Sequence, residues 1–148
     1  MDANDTVNHL LKNGFDANMG FELVSASPDE VVLEYTVADR HRQPYGIVHG
    51  GVHAAAVETV CSTGAALNAI PRKQAVVGVE NHTSFIHAVR EGRVRVTGRP
   101  ITRGRRSQVW EATARDVEGR IIATGRVRLL CLEEGSDLAG KAVTTTGR

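Results

Sequence analysis

The stretch that most constrains this chain is residues 43–70. The polar, turn-prone Gln43-Pro44-Tyr45-Gly46-Ile47-Val48 leads into His49-Gly50-Gly51, and a run of small and apolar residues follows through residue 70. Glu58 is the only residue of that run with a formal charge. Alanine, the best helix former, is frequent, and no proline interrupts before Pro71, so the run predicts one long helix. A helix apolar on nearly every side is a buried helix. An ionised carboxylate in such a place is costly unless it is paired or hydrogen-bonded. Glu58 is therefore the first candidate for chemistry.

The paired glycines ahead of the run carry a second signal. The first turn of a helix has free backbone N–H groups and the positive end of the helix dipole. Glycine at that point lets a ligand oxygen approach without meeting a Cβ. A carbonyl oxygen that gains negative charge during reaction would be stabilised there, as in an oxyanion hole. Glu58 lies two turns further on, roughly 11 Å along the axis. Either the reacting group lies against the helix, or a second copy of the chain brings its glycines to this Glu58.

Bulk composition narrows the class. A chain of 148 residues is one domain by size and long enough to bury a core. With 41% hydrophobic and 24% charged residues and a net charge of +1, nothing pulls it toward nucleic acid or membrane. Cys61 in the helix and Cys131 in an apolar strand read as packed thiols, not as a disulfide framework. The acidic, polar start Met1-Asp2-Ala3-Asn4-Asp5 lacks a signal peptide's basic and apolar regions, which leads to the expectation of a cytoplasmic protein. The central helix, with Glu58 in its middle, is too polar to span a bilayer.

In chain order, Val7, Leu10 and Leu11 predict a helix over residues 5–13, stopped at Asn13-Gly14. Residues 21–27 and 30–37 predict two strands joined at Ser27-Pro28-Asp29, the second with Val31, Leu33, Tyr35 and Val37 on one face. After the helix come strand signals at 75–81 (continued by 83–88), 93–102, 107–116 and 121–132. The composition then turns to Gly, Ser, Thr, Lys and Asp, which predicts a disordered tail over 133–148. One long helix among antiparallel strands implies an α+β layer, a sheet wrapped around a single helix. Such a sheet has edges that oligomers commonly pair. No spacing reads as a metal site, no Gly-rich strand-to-helix fingerprint reads as a dinucleotide site, and no Gly-x-Ser-x-Gly elbow is present.

Gln43-Pro-x-Gly46-x-x-His49-Gly50-Gly51, with Glu58 and then Ser62 downstream, resembles the hotdog-fold acyl-CoA thioesterases. The likeness is greatest to the branch with the 4-hydroxybenzoyl-CoA, phenylacetate-pathway, and menaquinone- or enterobactin-pathway thioesterases. It continues through Val76-Val77-Gly78, Arg90-Glu91-Gly92 and residues 103–110, and so covers residues 15–132, with residues 1–14 a helical N-terminal segment.

The resemblance implies a hotdog fold and the following roles. Glu58 would be the catalytic carboxylate, attacking the thioester carbonyl or activating water. The Gly50 N–H would polarise the thioester oxygen with the Gln43 amide nearby, and His49 would assist there or at the thiolate. Ser62 would orient the water or contact the acyl group. Gly78, the segment Phe85, Ile86, His87 and Ala88, and the segment Thr102, Arg103, Gly104, Arg105, Arg106 and Ser107 would hold coenzyme A, which is part of the substrate; no separate cofactor is expected. Arginines of that second segment suit the phosphates of the nucleotide, with Arg72, His87 and Arg90 as further candidates for the same task. The family's site lies between two subunits, which implies a homodimer at least and often a homotetramer. Some members carry a histidine near the position of Phe85, and that role does not transfer. Two other readings stand beside the thioesterase: a hotdog hydratase, which would want an Asp/His pair, and a non-catalytic acyl-CoA binder, which would not need Glu58.

Overall fold

The run around Glu58 folds as one helix. In the computed structural model, which describes residues 3–145, this helix, α3 (Gly50–Ala69), is 20 residues long. His49 caps its start, its Nδ1 accepting the Gly51 N–H at 2.8 Å. Val52, Ala56, Val57, Val60, Cys61 and Ala65 are buried. Ala55, Glu58, Thr59, Ser62 and Ala66, at helical spacing, make a half-buried stripe. The expectation of a helix buried all round is thus corrected. Small residues permit close packing on every side, but the sheet covers only one.

Two strands precede α3, β1 (Glu22–Ala26) and β2 (Val31–Thr36), and four follow it, β3 (Gln74–Phe85), β4 (Arg93–Arg103), β5 (Ser107–Arg115) and β6 (Ile121–Glu133). They form one antiparallel sheet in the order β1-β2-β4-β5-β6-β3. The signals at 75–81 and 83–88 are one strand, irregular between Gly78 and Glu80. β3 is therefore a long edge strand, paired to β6 on one side only among the described residues.

Inward residues alternate as a half-buried sheet requires. Leu33 and Tyr35 of β2, Val94 and Val96 of β4, and Val127 and Leu129 of β6 all lie out of solvent against the helix. Full burial of such a side chain is worth about 1.5–3 kcal/mol. Trp110 of β5 is buried with its Nε1–H donated to Gln108 Oε1 at 2.9 Å, while Gln108 Nε2 donates to the Ala65 carbonyl at 3.0 Å. Gln108 Nε2 also reaches Cys131 Sγ at 3.7 Å, so the polar hydrogens of the pair are met and β5 is fixed on α3. On the outer face Arg93 bridges Glu22 and Glu34, and Arg95 also reaches Glu34, so these guanidiniums hold the Glu34 carboxyl below its ordinary range. Surface pairs of this kind contribute little each, about 0.2–1 kcal/mol.

The chain start lies in front of the open face of α3. Helix α1 (Ala3–Leu10) buries Val7, and the short α2 (Phe15–Asn18) is tied to α3 by Thr59 Oγ1 donating to Asp16 Oδ1 at 2.6 Å. Part of the segment expected as a disordered tail has local structure among the described residues. Past β6 a small hairpin forms from β7 (Asp137–Leu138) and β8 (Lys141–Ala142), and the Val143 N–H donates to the Ser136 carbonyl at 2.8 Å. The buried Val143 gives the hairpin a foothold that polar composition concealed. Residues 146–148 of that expected tail, and residues 1–2 of the N-terminal segment, lie outside the described residues. No described helix is long and apolar enough to cross a membrane.

Candidate active site

Two clefts hold several of the residues that the sequence singles out. The first, about 310 Å³, sits at the start of α3 and is lined by Gln43, Ile47, Val48, Gly50, His53 and residues 85–88. The second, about 500 Å³, opens on the uncovered face of α3 and is lined by Val7, Leu11, Phe15, Asp16, Ala55, Glu58, Thr59, Ser62, Thr63, Ala66 and Val76.

The first cleft offers donors. The Gln43 carbonyl Oε1 accepts the Tyr45 N–H, which turns the Nε2 hydrogens of the amide away from the loop. At the start of α3, His49 Nδ1 takes the Gly51 N–H and the His49 carbonyl takes the Val52 N–H. The Gly50 N–H has no partner among the described residues. Because Nδ1 of His49 is an acceptor, a neutral His49 carries its proton on Nε2 and can donate from there. Phe85 closes the far wall, its ring against Gly50: a Cβ on that glycine would fall 2.5 Å from Phe85 Cε2. A side chain at position 50 would thus compete with the ring for one space.

His53 is buried in the same wall, with its ring centroid 6.1 Å from that of Phe85. Its Nδ1 has no partner among the described residues, and burial lowers its pKa to about 4, so the imidazole is neutral at neutral pH. His53 stands four residues after His49, which puts both on one side of the first turn.

The second cleft holds the carboxylate. Glu58 Oε2 accepts from Asn81 Nδ2 at 2.9 Å, and Oε1 accepts from Ser62 Oγ at 3.4 Å, the latter a long bond. Gly78, expected at coenzyme A, lies on Glu58: a Cβ there would overlap Oε1. Val7, Leu11, Phe15, Ala55, Ala66 and Val76 make the rest of this cleft largely apolar. Asn81 was missed. The available signal was a polar side chain on the inward face of a strand, two residues from another, Thr83.

A single copy does not bring these groups together. Gln43 and Gly50 line one cleft, Glu58 and Ser62 the other, and residues 102–107 line neither. The β4–β5 turn keeps Arg103 occupied by Asp29 at 2.6 Å and by the Pro28 carbonyl at 3.1 Å. Arg105 is 3.9 Å from Glu133, and Arg106 has no side-chain partner among the described residues. Arg72 joins the turn through the Gly104 carbonyl at 3.3 Å. His87 contacts the Ile121 carbonyl and Arg90 the Tyr45 carbonyl, so both are engaged by backbone.

Known proteins resemble this chain in sequence and fold. The family model described as "Thioesterase superfamily" matches residues 45–123. The "Putative esterase Rv1847" of Mycobacterium tuberculosis is 38% identical over 121 residues, covering 80% of this chain and 86% of that protein. The solved structure of that protein superposes with a TM-score of 0.79 at 37% identity, over 80% of this chain and 96% of that one. The structure of thioesterase HI1161 from Haemophilus influenzae superposes with a TM-score of 0.82 at 28% identity, covering 90% of this chain and 92% of that one.

Proposed function

The chain belongs to the thioesterase superfamily and has its hotdog fold; from that premise we propose that it hydrolyses an acyl-CoA to a free acid and coenzyme A, with Glu58 as the catalytic carboxylate. The observation that carries the reading is the half-buried Glu58 carboxylate at the mouth of an apolar cleft, hydrogen-bonded to neutral donors and, among the described residues, to no cation. A carboxylate so held keeps its negative charge available for attack or for taking a proton.

The groups divide the reaction between them. The acyl chain, aromatic or of medium length, lies in the apolar cleft beside Glu58. The thioester oxygen accepts from the Gly50 N–H and Gln43 Nε2, donors aimed at the site where negative charge develops. Glu58 either removes a proton from water as the water oxygen bonds to the carbonyl carbon, or bonds to that carbon itself and is released by water. In both routes the C–S bond breaks and the thiolate leaves, taking up a proton, for which His49 Nε2–H is the candidate donor. Ser62 orients the attacking water or contacts the acyl group. Residues 78, 85–88 and 102–107 hold the coenzyme A part, with Arg105 and Arg106 facing its phosphates.

Since the donors and the carboxylate line separate clefts, the working site takes Gln43 and Gly50 from one copy and Glu58 from another. The free edge of β3, which runs from Gly78 beside Glu58 to Phe85 beside Gly50, is the natural seam for that pairing. The assembly is a homodimer at least, doubled in a homotetramer.

The test is release of free thiol from aryl- and medium-chain acyl-CoAs by purified protein. Hydrolysis of at least one class supports the reading. Inertness across a broad panel, with acyl-CoA binding retained, would make the protein a binder instead.

A further inference from the structure

Glu58 is gripped from the edge strand by a chain of side chains. Thr83 Oγ1 donates to Asn81 Oδ1 at 2.6 Å; Asn81 Nδ2 donates to the Ala54 carbonyl at 3.0 Å and to Glu58 Oε2 at 2.9 Å. Asn81 and Thr83 are two apart on β3 and so face the same side. Each end of the chain depends on a missing side chain. Gly125 of β6 pairs with Thr83, and a Cβ on it would come 2.5 Å from Thr83 Oγ1. At the other end a Cβ on Gly78 would overlap Glu58 Oε1.

The chain has a direction. A threonine hydroxyl has one proton to give, and here it goes to the amide oxygen, so the amide nitrogen must face the helix. One N–H of that nitrogen is anchored on the Ala54 carbonyl, one helical turn before Glu58, which stops the amide from rotating. The other reaches Oε2. The opposite oxygen, Oε1, holds only the long contact to Ser62 among the described residues.

We infer that Asn81 and Thr83 are positioning residues for the reaction: they clamp Oε2 of Glu58 so that Oε1 is the oxygen that attacks the carbonyl carbon or takes the proton of water. The inference rests on the thioesterase reading of Glu58. A carboxylate on a flexible side chain reaches its target only in some rotamers, and a misplacement on the order of 1 Å costs up to roughly 100-fold. The clamp removes those idle rotamers before substrate arrives.

Asn81 also ties β3 to α3, so the test separates positioning from stability. Asn81→Leu and the nearly isosteric Thr83→Val are compared with wild type for kcat, KM and melting temperature, alone and on a Glu58→Gln background. Positioning predicts that kcat falls about 10- to 100-fold in Asn81→Leu and several-fold in Thr83→Val, with KM within about twofold. Thr83→Ser, which keeps the proton, restores kcat. On the Glu58→Gln background neither substitution lowers the residual rate further, because both act through the missing carboxylate. If Glu58→Gln inactivates the protein while Asn81→Leu and Thr83→Val keep kcat within twofold, the clamp is overturned and the thioesterase reading stands. Parallel losses in kcat, KM and melting temperature that Thr83→Ser does not rescue also overturn it. A Glu58→Gln protein that keeps its kcat overturns both.

Discussion

The ring of Phe85, at the end of an edge strand, rests against Gly50, the first residue of the central helix; a Cβ on Gly50 would stand 2.5 Å from Phe85 Cε2. Phe85 is 60% exposed, so its ring can swing away from an added methyl at small cost to stability. The donor wall of the first cleft cannot move so freely. Gly50→Ala keeps the N–H but sets a Cβ where the ligand oxygen approaches, so it should leave the melting temperature almost unchanged and lower kcat/KM about 10- to 100-fold, less than the roughly 10²–10³-fold cost of losing a donor outright. Gly50→Ala combined with Phe85→Leu, which frees space, should recover part of that loss. Unchanged kcat/KM in Gly50→Ala would remove this glycine from the site.

His53 makes stability depend on pH. Its pKa is about 4 in the fold, against about 6.5 when unfolded, because burial disfavours the charged ring. Between those values the unfolded chain binds the extra proton, so stability present at neutral pH is lost as pH falls from 6.5 toward 4. The loss should reach about 2 kcal/mol by pH 5. Denaturant unfolding at pH 7.5 and pH 5 measures it, and His53→Ser should flatten the difference. An equal pH dependence in His53→Ser would assign the effect to other groups.

The arginines of the β4–β5 turn are not equivalent. Arg103 is held by Asp29 and the Pro28 carbonyl, whereas Arg106 has no side-chain partner among the described residues. Arg106→Ala should raise KM for acyl-CoA roughly tenfold with little change in kcat, since a phosphate contact is made equally in ground and transition states. Acyl-pantetheine, which lacks the nucleotide, should show the same KM in both proteins. A matching rise in KM with the truncated substrate would rule out phosphate contact.

Sharing of the site between copies can be read from hybrids. Chains carrying Glu58→Gln and chains carrying Gln43→Ala, each inactive alone, are co-expressed with different tags. Half of randomly paired dimers are mixed, and each mixed dimer has one site with both native residues, so the pool should recover roughly a quarter of wild-type activity. An inactive mixed dimer would place Gln43 and Glu58 of one chain in one site.

Most of the fold was legible because periodicity and punctuation agreed. Pro71 and the paired glycines bound α3, and alternation in residues 31–37 and 93–102 marked the inward faces of β2 and β4. What was not legible depended on partners distant in sequence. The half-buried stripe of α3 shares alanine with its buried side, and its Thr59 and Ser62 are small enough to pack in a core, so the sheet's placement is what tells the two sides apart. Asn81 reads as a breaker in a strand until Glu58 is set beside it. The hairpin after β6 has one buried foothold, Val143, among the described residues of a segment rich in Gly, Ser, Asp and Lys.

Among the candidate residues, Glu58 stood out on cost, since a lone charge in an apolar run needs a reason, and Gly50 stood out on helix geometry. Gln43 and Ser62 gained weight only from the resemblance. The division of these residues between two clefts was foreshadowed by the helical rise separating Gly50 from Glu58.

The most direct measurement is the steady-state rate of Glu58→Gln on an acyl-CoA that the native protein hydrolyses. The amide has nearly the shape of the acid and can keep the contact with Asn81 by turning its oxygen to Nδ2, but it can neither attack nor take a proton. The account predicts a native melting temperature, retained substrate binding and a kcat lower by ~10²–10⁴-fold. A Glu58→Gln protein that keeps most of its kcat would contradict it, making Glu58 a structural acid and moving the chemistry to His49.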